Sequence, residues 1–254
     1  MKKRRFFALS LVLLVGIGLS ACSSNNGKQK TSESLPSAQT ILNKAEQTDF
    51  KTMTASWNQT DNNNRTLQKA TAKYNKKPLV VFANFTTTSN HYKMWISGKN
   101  SYVQMQGTAT NKWFKTKLTK TASYAQLTDK LAQTALMSIG SSSLKKFKVN
   151  KTSSGYSVTY KGTDKKIANN LLQNGMITSV IGIDPDELKT EKVDITINTD
   201  KKYNLTDFTT NLAYNEDSSH KNVQVKIDQI NKSKPLKIPN KIVKSAVDLG
   251  SMSH

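Results

Sequence analysis

This 254-residue chain has a single cysteine, Cys22, which excludes a disulfide framework and any metal site built on several thiolates. Histidine is nearly as scarce: His91, His220 and His254 leave little imidazole for acid–base or metal chemistry. Acids number 17 against 38 basic residues, for a formal net charge of +21. Within that excess arginine is rare, occurring only as Arg4, Arg5 and Arg65. Reading base edges relies on bidentate arginine contacts, which Arg65 alone cannot assemble, so nucleic acid is not an expected partner. No phosphate loop, dinucleotide fingerprint or His/Cys metal spacing occurs, and no cofactor or metal is expected. The stretch Ile139-Gly140-Ser141-Ser142-Ser143 lacks the second glycine of a nucleophile elbow.

What the chain does have begins at its amino terminus. Lys2, Lys3, Arg4 and Arg5 precede a mainly apolar run from Phe6 to Ala21. That run is shorter than the roughly 20 residues a spanning helix needs, and its basic flank is the cytoplasmic side of a secretory signal. Leu19-Ser20-Ala21-Cys22 resembles the lipobox of bacterial lipoproteins. The resemblance implies that Cys22 is acylated with a diacylglycerol group and becomes the first residue of the mature chain. Two acyl chains, at about 0.8 kcal/mol per buried methylene, give stable anchoring where one does not. Residues 23–36, SSNNGKQKTSESLP, have the composition of a flexible tether. The expected organisation is a signal peptide over 1–21, the lipidated cysteine and tether over 22–36, and a single domain over 37–254.

In that domain, Ala38, Ile41, Leu42 and Ala45 recur at helical spacing after Pro36, predicting a helix from about Ser37 to Thr48. The period then becomes two. Met53, Ala55 and Trp57 alternate with polar residues, as do Tyr92, Met94 and Ile96, and then Val103 and Met105. Turn-forming clusters at 61–64, 75–78, 97–100 and 110–111 separate these runs, the pattern of an antiparallel meander. A helix is expected over 123–139, strands around 144–150 and 155–161, and a short helix from Asp164 to Asn174 stopped by Gly175. Val193, Ile195 and Ile197 mark a further strand. The parity change between Tyr203/Leu205 and Phe208/Leu212/Tyr214 predicts a bulge near Thr206-Asp207. Val223, Val225 and Ile227 give a last strand, and a terminal helix is expected around 240–249.

Two features could carry activity or binding. Asp184, Asp186 and Glu187 cluster around Pro185 and Leu188, which fits an acidic turn opening a short helix better than a pair of opposed catalytic carboxylates or a calcium loop. The lysines are scattered among Thr, Asn and Ser, making a diffuse field that would attract anionic lipid headgroups or anionic wall polymer in a salt-dependent way.

The lipobox, tether, first helix, strand meander and late strands resemble the LolA and LppX/LprG lipoproteins. The likeness rests on Asn100-Ser101-Tyr102-Val103 followed by Asn111-Lys112-Trp113-Phe114-Lys115. It rests too on Ile195-Thr196-Ile197-Asn198 running into Lys202-Tyr203-Asn204-Leu205-Thr206. It implies an α+β fold in which a large curved antiparallel β-sheet, a half-open barrel, covers a few helices. It also implies an apolar cavity able to take acyl chains. Strand-face candidates for its wall are Trp57, Phe82, Met94, Ile96, Met105, Trp113, Val158, Tyr160, Ile195 and Ile197. The expected function is a non-enzymatic lipoprotein, anchored through Cys22 on the extracytoplasmic face of the cell membrane and binding or carrying a lipid or other hydrophobic ligand. The alternative is a non-enzymatic envelope module that binds anionic cell-wall polymer or a protein partner through its lysines.

Overall fold

Ser37 accepts a hydrogen bond from the backbone N–H of Thr40 at 3.1 Å and so caps helix α1, Ala38–Ala45. The apolar stripe of α1 is fully spent: Ala38, Ile41, Leu42 and Ala45 are all buried. The computed structural model describes residues 34–105, 112–118, 139, 141–173, 189–216 and 218–251. The signal segment, Cys22, the helix expected over 123–139 (apart from Ile139) and the acids at 184, 186 and 187 lie outside the described residues.

After α1 the chain makes six strands in sequence: β1 (Thr52–Asp61), β2 (Thr66–Asn75), β3 (Val80–Thr87), β4 (His91–Ser97), β5 (Asn100–Met105) and β6 (Phe114–Lys117). A 3-10 turn, Ser141–Lys146, leads into β7 (Lys148–Lys151) and β8 (Gly155–Gly162), followed by helix α2 (Lys165–Gln173). Three long strands follow: β9 (Lys189–Asp200), β10 (Leu205–Glu216) and β11 (Ser219–Asp228). Helix α3 (Asn240–Ser245) and strand β12 (Val247–Ser251) end the described chain. All twelve strands join one open sheet in the order β12-β6-β5-β4-β3-β2-β1-β11-β10-β9-β8-β7. Every neighbouring pair is antiparallel except β12–β6. The sheet is large and mostly antiparallel, and with its few helices it makes an α+β fold.

The expected bulge is present, as a register shift between Leu205 and Asp207 in the β9–β10 ladder. Two expected boundaries are corrected. Residues 144–146 are a 3-10 turn instead of the start of a strand, because Leu144 and Phe147 both dip into the core there. The terminal helix stops at Ser245. Residues 247–251 are then drawn into β12 by the open edge of β6, with Val247 N–H donating to the Trp113 carbonyl at 2.8 Å.

Strand parity sorts the side chains onto two faces. The inner face packs α1, the 3-10 turn and α2 against β8–β11 and β1, with Val158, Val193, Ile197, Tyr214 and Ile227 fully buried. Each such side chain removed from water contributes roughly 1.5–3 kcal/mol. On the outer face a smaller cluster of Val80, Trp95 and Tyr102 is covered by Ile242 of α3, with Leu236 and Ile238 of the preceding strap packed alongside.

Candidate functional site

The inner face is unevenly covered. Over β8–β11 it is closed: Val158, Ile195, Ile197, Phe208 and Ile227 have at most 1% of their surface exposed. Over β1–β6 one row of the same face is apolar yet only half buried. Register pairing places one continuous row across six strands, Ala55, Ala72, Ala83, Met94, Val103 and Phe114. All six are of intermediate burial. With strands about 4.8 Å apart, the row runs on the order of 24 Å.

Rows on either side stand taller. Trp57, Ala70, Phe85, Tyr92 and Met105 form one. Its rings are in contact, with Trp57 and Phe85 centroids 5.5 Å apart and Phe85 and Tyr92 4.6 Å apart. Met53, Tyr74, Val81 and Ile96 form the other, and all four are buried. The three alanines of β1–β3 therefore floor a shallow trough between an aromatic wall and an aliphatic–tyrosine wall. Met94, Val103 and Phe114 continue it toward the sheet edge. Methionine and aromatic side chains adapt to irregular apolar partners.

Polar atoms enter this face sparingly. The indole Nε1 of Trp57 and the hydroxyl of Thr210 are buried without a hydrogen-bond partner among the described residues. Both are adjacent in register to Val225 of β11. Gln59 donates to the Tyr214 hydroxyl at 2.5 Å, and Gln68 donates to the Gln59 carbonyl at 2.7 Å. Burial pushes the Tyr214 phenol up to about 12, so it is neutral near neutral pH.

The ten residues expected to line a cavity separate into groups. Trp57, Ile96, Val158, Tyr160, Ile195 and Ile197 belong to the inner core, and Met94 packs half-buried against it. Met105, 46% exposed, ends the aromatic row. Phe82 and Trp113 lie on the outer face, packed against the cluster under α3. Phe82 follows Val80 and Val81 without a polar residue between them, so hydropathy alone does not fix its parity. Ala70, Ala72, Ala83 and Phe85 escaped the sequence reading, and Ala55, Tyr92 and Phe114 are named there without being assigned to the cavity wall. The spacing Ala70-x-Ala72-x-Tyr74 carried a period of two, hidden because alanine is a weak strand signal.

The outer face has its own pocket, of about 260 Å³, between the strap and the ends of β3–β5. Pro78, Val80, Tyr102, Leu236 and Ile238 wall it, Ser97 and Asn100 add polar atoms, and none of the ten expected residues lines it. The two histidines among the described residues are engaged elsewhere: His91 Nε2 lies 2.7 Å from Asn84 Oδ1, and His220 Nδ1 lies 3.0 Å from Glu191 Oε2. No group of three or more His, Cys, Asp or Glu among the described residues is placed to hold a metal ion.

Residues 29–247 match a family described as a family of unknown function, DUF6612. Among solved structures the chain is similar to the Mycobacterium tuberculosis lipoprotein LppX. The identity is 11% and the TM-score 0.39, and the match covers 78% of this chain and 99% of that one. No curated protein matches.

Proposed function

The chain belongs to the DUF6612 family, and from that premise we propose that it is a membrane-anchored extracytoplasmic lipoprotein that holds an apolar chain against the open half of its inner face and does no chemistry on it. The observation that carries this reading is the half-buried row from Ala55 to Phe114, floored by three alanines and walled on both sides. A closed hydrophobic core fills such positions with larger side chains, because interiors pack to near-crystalline density. At roughly 24 Å the row is longer than the about 15 Å that one leaflet of a 30 Å hydrocarbon layer spans. A fatty acyl chain therefore fits along it. The Trp57 indole N–H supplies a donor with no acceptor among the described residues, suited to an ester carbonyl. Anchoring through Cys22, following Leu19-Ser20-Ala21, places the body where such chains are available.

The test is photocrosslinking of the full chain with a diazirine-bearing palmitate, mapped by peptide mass spectrometry. Adducts are expected on the strands carrying Met94, Val103 and Phe114, competed by unlabelled palmitate. Adducts confined to other surfaces, or none that palmitate competes, would overturn the reading.

A further inference from the structure

The two ends of the sheet differ in charge. At one end Thr52, Asn75, Val80, Ser97, Asn100 and Lys117 face one another in register across β1–β6. Asp200 and Gly155 pair at the same end of β9 and β8. The turns beyond this line carry Lys77, Lys99, Lys201 and Lys202, all exposed. Asn231 Oδ1 accepts the backbone N–H of Lys51 at 2.7 Å, which pins the start of the C-terminal strap to this end. The strap brings exposed Lys232, Lys234 and Lys237.

Three of the acids here are engaged. Asp49 pairs with Lys76 at 2.9 Å and Asp228 with Lys226 at 2.7 Å. Asp200 accepts the N–H groups of Lys202 and Asn204 at 2.8 and 2.9 Å within its own turn. At the opposite end Arg65 faces Asp61, Lys221 faces Glu216 and the His220 ring faces Glu191, while Lys112, Lys165 and Lys189 are exposed there as more scattered charges.

We infer that the lysine-bearing end is a docking surface for a layer of anionic lipid headgroups. From β8 to β6 the line of turns extends on the order of 40 Å, far more than one small anion could bridge. The strap lysines stand to the outer-face side of that line, because Leu236 and Ile238 pack on the outer cluster. The array thus has breadth as well as length, which suits a charged layer better than a single polymer strand. Lysine, a compact point charge on a long stem, complements a mobile phosphate layer without the bidentate geometry that arginine brings. Docked this way, the protein holds the Ala55-to-Phe114 row parallel to the headgroups and about 10 Å above them, since Ala55 lies three residues in from Thr52. The inference does not require that row to be occupied.

Amine-reactive labelling of the full chain, read residue by residue by mass spectrometry, tests it. The chain is mixed with vesicles of phosphatidylcholine alone, or of phosphatidylcholine with phosphatidylglycerol. Labelling of Lys77, Lys99 and Lys202 is expected to fall roughly threefold or more with the anionic vesicles only. It should recover in 0.5 M salt, while Lys165 and Lys192 are unaffected. The triple variant K77E/K99E/K202E, altered only at exposed turns, should lose the protection while keeping its circular dichroism. Equal labelling with both vesicles, or protection of the opposite end, overturns the inference. So does protection by soluble poly(glycerol phosphate) without protection by vesicles. A result against palmitate crosslinking would leave this outcome unchanged, so the two readings fail separately.

Discussion

Gln59 on β1 donates its side-chain amide to the hydroxyl of Tyr214 on β10 at 2.5 Å, reaching across the intervening strand β11. Gln68 of β2 donates in turn to Gln59 at 2.7 Å. This buried chain of donors and acceptors spans from the open half of the inner face to the closed half. It fixes the side-to-side register of a face otherwise held by non-directional apolar contacts.

The tyrosine should make the protein sensitive to alkali. Burial raises the phenol to about 12, outweighing the Gln59 bond that favours the phenolate. Unfolded, the group ionises near 10. Its contribution is therefore complete below pH 10 and is lost as pH rises through 10 toward 12. Urea midpoints at pH 9 and 11.5 should drop more steeply for the native chain than for Tyr214→Phe. At neutral pH the variant should cost about 1–2 kcal/mol, because the Gln59 amide is left buried without its acceptor.

Filling the trough should separate binding from stability. Ala83→Trp places a large ring on a half-buried floor and is expected to reduce palmitate crosslinking about tenfold or more, with a small change in Tm. Ile197→Ala, at a fully buried position of the closed half, should cost about 2–4 kcal/mol and leave crosslinking intact. Equal loss of crosslinking in both variants would argue against a groove in the open half.

Asp61 should govern acid tolerance at the β1–β2 turn. Burial acts to raise its carboxyl, but the Arg65 backbone N–H, the Arg65 guanidinium at 2.7 Å and the Asn63 N–H together hold it below the usual carboxylate range. That stabilisation is present above about pH 4 and is lost as pH falls through the lowered value. Asp61→Asn should flatten the acid limb of a stability–pH curve. Arg65→Ala should flatten it less, since two backbone donors remain.

The strap should detach as a unit when its apolar peg is cut. Ile242 is buried against Val80, Trp95 and Tyr102, and Ile242→Ala is expected to cost about 2–4 kcal/mol locally. Hydrogen exchange should then accelerate at the Val247 amide, which bonds the Trp113 carbonyl at 2.8 Å, while β9–β11 amides stay protected.

Some of this was legible in the chain itself. Alternation in Met53-x-Ala55-x-Trp57 and in Val193-x-Ile195-x-Ile197 marks which side chains turn inward, because a strand has a strict period of two. The stripe of α1 and the parity change at Thr206-Asp207 were equally readable, since helical spacing and a bulge both leave local traces. The groove was less so. Alanine announces nothing alone, and Ala55, Ala72 and Ala83 acquire meaning only when antiparallel pairing sets them side by side.

The order of residues thus determined the local conformations, the scarcity of reactive side chains and the lysine excess, all of which follow from neighbours within a few positions. Tertiary structure decided the rest. Cross-strand register sent Phe82 and Trp113 to the opposite face from Met94. It also gathered turn lysines more than a hundred residues apart at one end of the sheet and turned the final segment into β12 against the open edge of β6. These are long-range pairings, and no local propensity encodes which strand a given strand will meet.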